Sequence, residues 1–388
     1  MCKLAIVVIG YNRVNSIKRL LTSLQKANYF ESVDLIISID NSGSDTVEKY
    51  VGSVEWPFGN KIVKTFPEKL GLRKHVLSCG NYMNEYGYDA IFVLEDDIVV
   101  SPGFFNFAVQ AVEKYKNNDN IAGISLYSHS WNLTADRPFI PLFRGYDVFF
   151  MQYPQSWGQV WMRNQWNAFY QWYNNEEYKK IDKRVIPDNV LNWPESSWLK
   201  YHVMYCIAEK KYFVYPFHAL STNFADAGTH YAFDTNKMQI PMDMSSNTKY
   251  RMPNNISETS IYTSTYENEQ LNLVLGYDKN ELEVDLYGTL KKYKPGAHYL
   301  LSTKPKPFRV LKTFGMEMRP WEMNVMYDVP GDRIYLYDMT NKGKVPKIRH
   351  YSLSHWIYDT RGEVILKRNI IDILWSEIYN KIRYLLKN

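Results

Sequence analysis

Only three cysteines occur in the 388 residues, Cys2, Cys79 and Cys206, and no two share a paired spacing. A disulfide framework or a zinc ribbon is therefore not expected, and the usage fits a reducing cytoplasm. No apolar run reaches the roughly 18 residues of a membrane-spanning helix. The opening "MCKLAIVVIGYNR" has one lysine and a short apolar stretch. It lacks the longer hydrophobic region and the small-residue cleavage site of a signal peptide, and reads as a first strand. Internal repeats and low-complexity tracts are missing too. Glycine is sparse after that strand, where "GYNRVNS" supplies one. A nucleotidyltransferase, an enzyme class with a related sheet, would want a glycine-rich turn with basic residues there.

Charge is unevenly placed. The net charge is +5, yet residues 301–388 hold 16 Lys/Arg against 9 Asp/Glu, so the other 300 residues are slightly acidic. That argues against a nucleic-acid groove in the bulk of the chain and places the positive field on the tail. A non-catalytic scaffold working through the basic tail and the aromatics is the reading from another class. The length and a 45% hydrophobic content allow a large core and two or three domains. The 32 tyrosines and 11 tryptophans suit sugar- or base-stacking surfaces, or plain core packing.

The first 125 residues alternate apolar runs with helical periodicity. "KLAIVVIGY" reads as a central parallel strand, and Val14, Ile17, Leu20, Leu21 and Leu24 then follow helical spacing. "VDLIISIDNSGS" is a second strand, with Asp45 and Glu48 opening a helix as a capping box. "NKIVKTFP" is a third strand, "GLRKHVLSCGNYMNEYG" a helix, and "DAIFVLEDDIVV" a fourth strand. Ser101 and Pro102 read as N-cap and first residue of the next helix. This is an α/β pattern: a Rossmann-like, mostly parallel sheet flanked by helices, with ligands bound outside the carboxyl ends of the strands. Tyr11, Asn12 and Arg13, then Asp40, then Glu95, Asp96 and Asp97 stand at three of those ends.

Three adjacent carboxylates in an apolar strand need neutralising. Hard divalent cations, Mg²⁺ or Mn²⁺, prefer such oxygen ligands and often take one or two from the protein and the rest from substrate phosphates. The acidic strand end thus predicts a metal–diphosphate site. An acidic bias ahead of the next helix would explain one carboxylate near residue 101, not three.

The stretch "GLRKHVLSCGNYMNEYGYDAIFVLEDDIVVSPGFFNF", followed by "YPQSWGQVWMRNQW", "NWPESSW" and "FVYPFHALSTNFADAGTHY", resembles the ordered blocks of a GT-A fold nucleotide-sugar glycosyltransferase. More narrowly it resembles a bacterial family 2-type enzyme related to the N-acetylglucosaminyltransferase I group, over residues 3–231. The resemblance implies a catalytic domain over 1–235, a nucleotide-binding half to about 125 and an acceptor half after it. It implies that Asp97 binds the metal, that Glu95 and Asp96 contact the ribose and sugar, and that Asp40 bonds the base. Tyr11, Asn12 and Arg13 line the nucleotide pocket, and Arg73 and His75 lie over the donor. Asp40 as a turn former and His75 as a helix-surface residue are the plainer readings. His230, in "NFADAGTHY", would touch the diphosphate or the metal. Where the group carries a catalytic Asp, after the "WP" block, this chain has Leu199 and Lys200; Glu195 is the substitute base and Asp188 the second choice. Trp157, Trp161 and Trp166 could form an acceptor platform or pack as core.

The implied activity is inverting, metal-dependent hexosyl or N-acetylhexosaminyl transfer from a UDP-sugar to a glycan or lipid-linked oligosaccharide in capsule or similar surface polysaccharide synthesis. Residues 236–300 read as a loop-rich connector, and 301–388 as a small C-terminal α+β unit with strands in "PFRVLKTFGMEM" and "DRIYLYDM". At its end Ile371, Leu374, Trp375, Ile378, Ile382 and Leu385 follow helical spacing, flanked by Lys367, Arg368, Lys381, Arg383 and Lys387. Such a basic amphipathic helix either lies in an anionic membrane interface, on the inner face of the cell membrane, or docks on the catalytic domain.

Overall fold

The computed structural model describes residues 2–224, 226, 238–347 and, within 371–382, residues 371, 374, 375, 377–379, 381 and 382. They divide into two compact units, one of 1–128 with 143–264 and one of 129–142 with 265–388. Residues 236–300, expected as a connector, are shared between these units, and their second half contributes a strand, Leu282–Asp285, to the smaller one.

The larger unit follows the alternation read from sequence: β1 (Leu4–Gly10), α1 (Val14–Gln25), β2 (Asp34–Ile39), α2 (Thr46–Ser53), β3 (Lys61–Thr65), α3 (Leu72–Gly80), α4 (Tyr82–Tyr86) and β4 (Ala90–Glu95). β1 is buried along its whole length, as a strand covered on both faces must be. It pairs in parallel with β2 on one side and β4 on the other, and β2 pairs in parallel with β3. Ile17, Leu20, Leu21 and Leu24 of α1 are buried against this sheet, as their spacing requires.

Five further strands complete a nine-stranded sheet, mixed but mostly parallel. Gln159–Met162 lies antiparallel between β4 and β6 (Ile121–Ser125), and Tyr212–Pro216, Val148–Met151 and Ile261–Tyr262 extend it beyond β6. Helix Arg163–Asn174 packs close to α3. A Cβ on Gly80 would stand 2.0 Å from the indole of Trp166, so only glycine permits that approach.

Several local expectations change. The apolar run 89–100 is not one strand: it breaks at Asp96–Asp97, and Ile98–Val100 (β5) pairs antiparallel with Ser221–Asn223 in a separate ribbon. Two carboxylates inside a fully buried ladder would have no counter-charge, whereas a turn lets them leave the sheet. The next helix, α5, spans Phe104–Tyr115 with Gly103 at its cap. Ser101 does not cap it; its backbone N–H bonds the carbonyl of Leu220 and ties the two ribbon strands. Asp45 does not close a capping box either, and forms an ion pair with Lys49 one turn along.

The smaller unit has a four-stranded sheet, in the order Leu282–Asp285, Tyr299–Ser302, Ile334–Lys342, Phe308–Phe314. Leu271, Leu301, Phe314 and Leu336 form its core, and the two strands expected after residue 300 are both present. Among the described residues no helix is long and apolar enough to cross a membrane.

Candidate active site

The carboxyl ends of β1, β2 and β4 lie at one edge of the sheet because the three strands run parallel and in register. Strand Gln159–Met162 runs the other way, and Gln159 faces Val93, so Trp157 and Gly158 come to the same edge. Chain direction alone thus gathers Tyr11–Arg13, Asp40, Glu95–Asp97 and Trp157.

At the tip of β4 the carboxylates are tightly bound. Arg13 Nε donates to Asp96 Oδ2 at 3.2 Å, and its Nη2 bonds Asp96 Oδ1 and, at 3.2 Å, Asp97 Oδ2. Asn223 Nδ2 donates to Asp97 Oδ1 at 3.0 Å, and the backbone N–H of Phe224 donates to the Asp97 carbonyl. β5 makes this possible: its pairing with Ser221–Asn223 delivers Asn223 beside Asp97. Trp198, at the start of helix Trp198–Ala208, donates its indole N–H to Glu95 Oε1 at 3.2 Å.

Burial raises all three acids. Glu95 is pushed up to about 8, first by burial and then by the charge of Asp97. Asp96 rises to about 6 through burial, against the pull of Arg13, and Asp97 rises for the same reason. Burial works against the Arg13 guanidinium, yet the two aspartates hold its affinity for the proton above the ordinary value. The site is therefore short of positive charge, and a second cation would be stabilised there.

A second cluster stands one helical turn along. Tyr201, three residues after Trp198, accepts a bond from Arg73 Nη1 at 2.6 Å and donates to Glu195 Oε2. Lys200 is buried, and its Nζ donates to Glu195 Oε1 at 2.8 Å and to the carbonyls of Leu191 and Trp193. Lys200 and Tyr201 hold the Glu195 carboxyl below its ordinary range, so it is ionised at neutral pH. Its side chain is 75% exposed, open to an acceptor.

The other expected residues lie as follows. Asp40 is buried, and its oxygens accept from the backbone N–H groups of Asn41, Leu70 and Gly71, the turn-forming role. His75 is not on a helix surface: it is buried, its Nε2 meets Ser38 Oγ at 2.7 Å, and burial lowers its pKa to about 4. Tyr11 is half-buried with Lys69 over its ring, and Asn12 is exposed. Asp188 is exposed at the start of a short helix, Asp188–Leu191, that precedes Glu195. Trp157 is half-buried, edge-on to Tyr127, whereas Trp161 and Trp166 stack on each other deep in the core. Their place in an acceptor platform is thereby removed, because no face is left for a sugar. His230 lies outside the described residues.

Residues not singled out from sequence also meet here. Asp226 accepts from Ser16 Oγ at 2.6 Å and pairs with Arg19, and its carbonyl accepts from Arg13. The guanidinium of Arg19 lies 3.9 Å from the ring centroid of Phe224. The available signal was Arg13 at the N-cap of α1, followed by Ser16 and Arg19 three residues apart on that helix. Nothing local distinguishes Trp198 from the other tryptophans.

Among the described residues no group of three His, Cys, Asp or Glu side chains is placed to hold a metal ion. Asp97 with Asp96 beside it still fits one whose remaining ligands come from phosphates and water.

No protein-family model matches the chain, and no curated protein does. Among solved structures it is similar to the mannosyltransferase PcManGT from Pyrobaculum calidifontis in complex with GDP-Man and Mn²⁺, at 8% identity over 42% of this chain and 45% of that one, with a TM-score of 0.31. It is also similar to S. aureus TarS 1–349 in complex with UDP-GlcNAc, at 14% identity over 59% and 60%, with a TM-score of 0.35. Each match spans less than two thirds of the relative's own length. The α/β assignment stands on the sheet of this chain itself.

Proposed function

We propose that the chain is a divalent-metal-dependent glycosyltransferase of the GT-A fold, moving a hexosyl or N-acetylhexosaminyl group from a UDP-sugar to a glycan or lipid-linked acceptor in bacterial surface polysaccharide synthesis. The observation that carries the reading is the pairing of Arg13 with Asp96 and Asp97 at the strand edge. A guanidinium and an acidic tip in contact there supply both signs of charge that a diphosphate–cation complex needs.

Asp97, with Asp96 beside it, would hold a Mn²⁺ or Mg²⁺ ion; when bound, that ion offsets the charge developing on the departing diphosphate. Arg13 can exchange its carboxylate partners for phosphate oxygens, since both present the planar acceptor pair a guanidinium fits. Glu95, held protonated at neutral pH and oriented by Trp198, is a hydrogen-bond donor toward a ribose or sugar hydroxyl. Tyr11 and Asn12 line the nucleotide pocket, and Asp40 orders the 70–71 turn that leads to Arg73. Glu195, ionised and exposed, accepts the proton of the acceptor hydroxyl in an inverting displacement, with Asp188 as the second candidate base. Trp157 offers its half-buried face to the acceptor sugar.

The test is a screen of nucleotide-sugars by release of nucleoside diphosphate, with Mn²⁺ and with chelator. Turnover of one UDP-sugar that stops in chelator supports the reading. Turnover indifferent to chelator, or none with any activated sugar, contradicts it.

A further inference from the structure

The last described segment presents an apolar face that the fold leaves in solvent. The described residues from 371 to 382 are helical. Ile371, Trp375 and Ile382 are 61%, 62% and 51% exposed, and Leu374 and Ile378 are exposed as well. On a helix of 3.6 residues per turn these five positions fall within an arc of about 100°. Lys381, exposed, lies beside that arc. A soluble helix normally turns such a stripe inward, because apolar surface left in water forgoes the free energy of burial.

We infer that this face docks in the interface of an anionic membrane, with the helix axis in the membrane plane. Charge complementarity selects this occupant over a second copy or an apolar protein groove. The surrounding sequence is basic: residues 367–388 carry five Lys/Arg and two Asp/Glu, and residues 301–388 hold seven more basic than acidic residues. A tryptophan within the apolar stripe suits the headgroup boundary, where an amphipathic ring is favoured. Each basic residue near such a surface contributes about 1 kcal/mol, and salt screens it. This inference is independent of the transferase reading, since it needs neither the acidic tip nor a donor.

Sedimentation of the full chain with vesicles tests it, comparing phosphatidylcholine alone with phosphatidylcholine containing phosphatidylglycerol. Binding to the anionic vesicles only, weakened by salt, is expected. The double variant L374E/I378E should lose binding by more than about tenfold, K381Q by roughly fivefold, and I378L should keep it. All three substituted positions are exposed, and circular dichroism with thermal unfolding checks that each variant folds. Three results would overturn the inference: no binding to anionic vesicles, equal binding to both kinds, or a self-associated species in solution that L374E/I378E dissolves.

Discussion

Arg13 grips Asp96 by two points: Nε donates to one carboxylate oxygen at 3.2 Å while Nη2 bonds the other. The same Nη2 reaches Asp97 at 3.2 Å, so one side chain balances two buried acids. Replacing Arg13 with Gln leaves both carboxylates without their cation and should cost about 2–3 kcal/mol of stability. Mn²⁺ alone should restore part of that, raising the melting temperature of R13Q more than that of the wild type. Equal shifts in the two proteins would show that the ion does not meet these carboxylates.

His202 predicts a dependence on pH far from the acidic tip. It is fully buried between Phe169, 4.2 Å away and stacked, and Phe213, and its two ring nitrogens have no hydrogen-bond partner among the described residues. Burial lowers its pKa from 6.5 to about 3. Above about pH 6.5 the ring is neutral whether folded or not. Below that the unfolded chain takes up a proton that the folded chain refuses. Acidification therefore favours unfolding, by about 2 kcal/mol between pH 7 and 5 from this residue. His75, lowered to about 4 by burial, adds to the same slope. H202F keeps a flat aromatic side chain and deletes the proton site. Urea unfolding at the two pH values should show H202F more stable at pH 7 and less sensitive to acid. An unchanged slope would mean that the ring finds water in the folded state.

Glu195 and Lys200 separate chemistry from scaffolding. E195Q should lower turnover by about 10²–10⁴-fold with nucleotide affinity unchanged, as for a lost general base. Lys200 also holds the carbonyls of Leu191 and Trp193, at 3.3 and 3.0 Å. K200M leaves them unpaired and should cost about 1–3 kcal/mol of stability as well as activity. Calorimetry beside kinetics distinguishes the two. An E195Q enzyme with normal turnover would move the base to Asp188 or elsewhere.

The parallel core was legible because its signals are long and periodic. β1 is an unbroken β-branched run, and α1 repeats its apolar residues every three or four positions. The convergence of Arg13 with the Glu95–Asp97 tip followed from strand direction alone. What stayed hidden depends on partners distant in sequence. Gln159–Met162 is four residues long, too short for a period to emerge, and its antiparallel insertion beside β4 is set by the sheet. The break at Asp96 is invisible in an apolar run, since it comes from β5 finding Ser221–Asn223. Lys200 looks like a departure from a catalytic pattern, and only the fold reveals that it binds the loop carrying Glu195. Asp40 reads equally as a base-binding or a turn residue until the N–H groups of Leu70 and Gly71 are seen on its oxygens.

Calorimetric titration of UDP into the wild type and D97N, each with Mn²⁺ and with chelator, is the most direct measurement. The account predicts that UDP binds the wild type only with Mn²⁺, and that D97N loses this binding while its melting temperature stays within a few degrees of the wild type. Equal UDP affinity in all four titrations would contradict a cation held at the tip of β4.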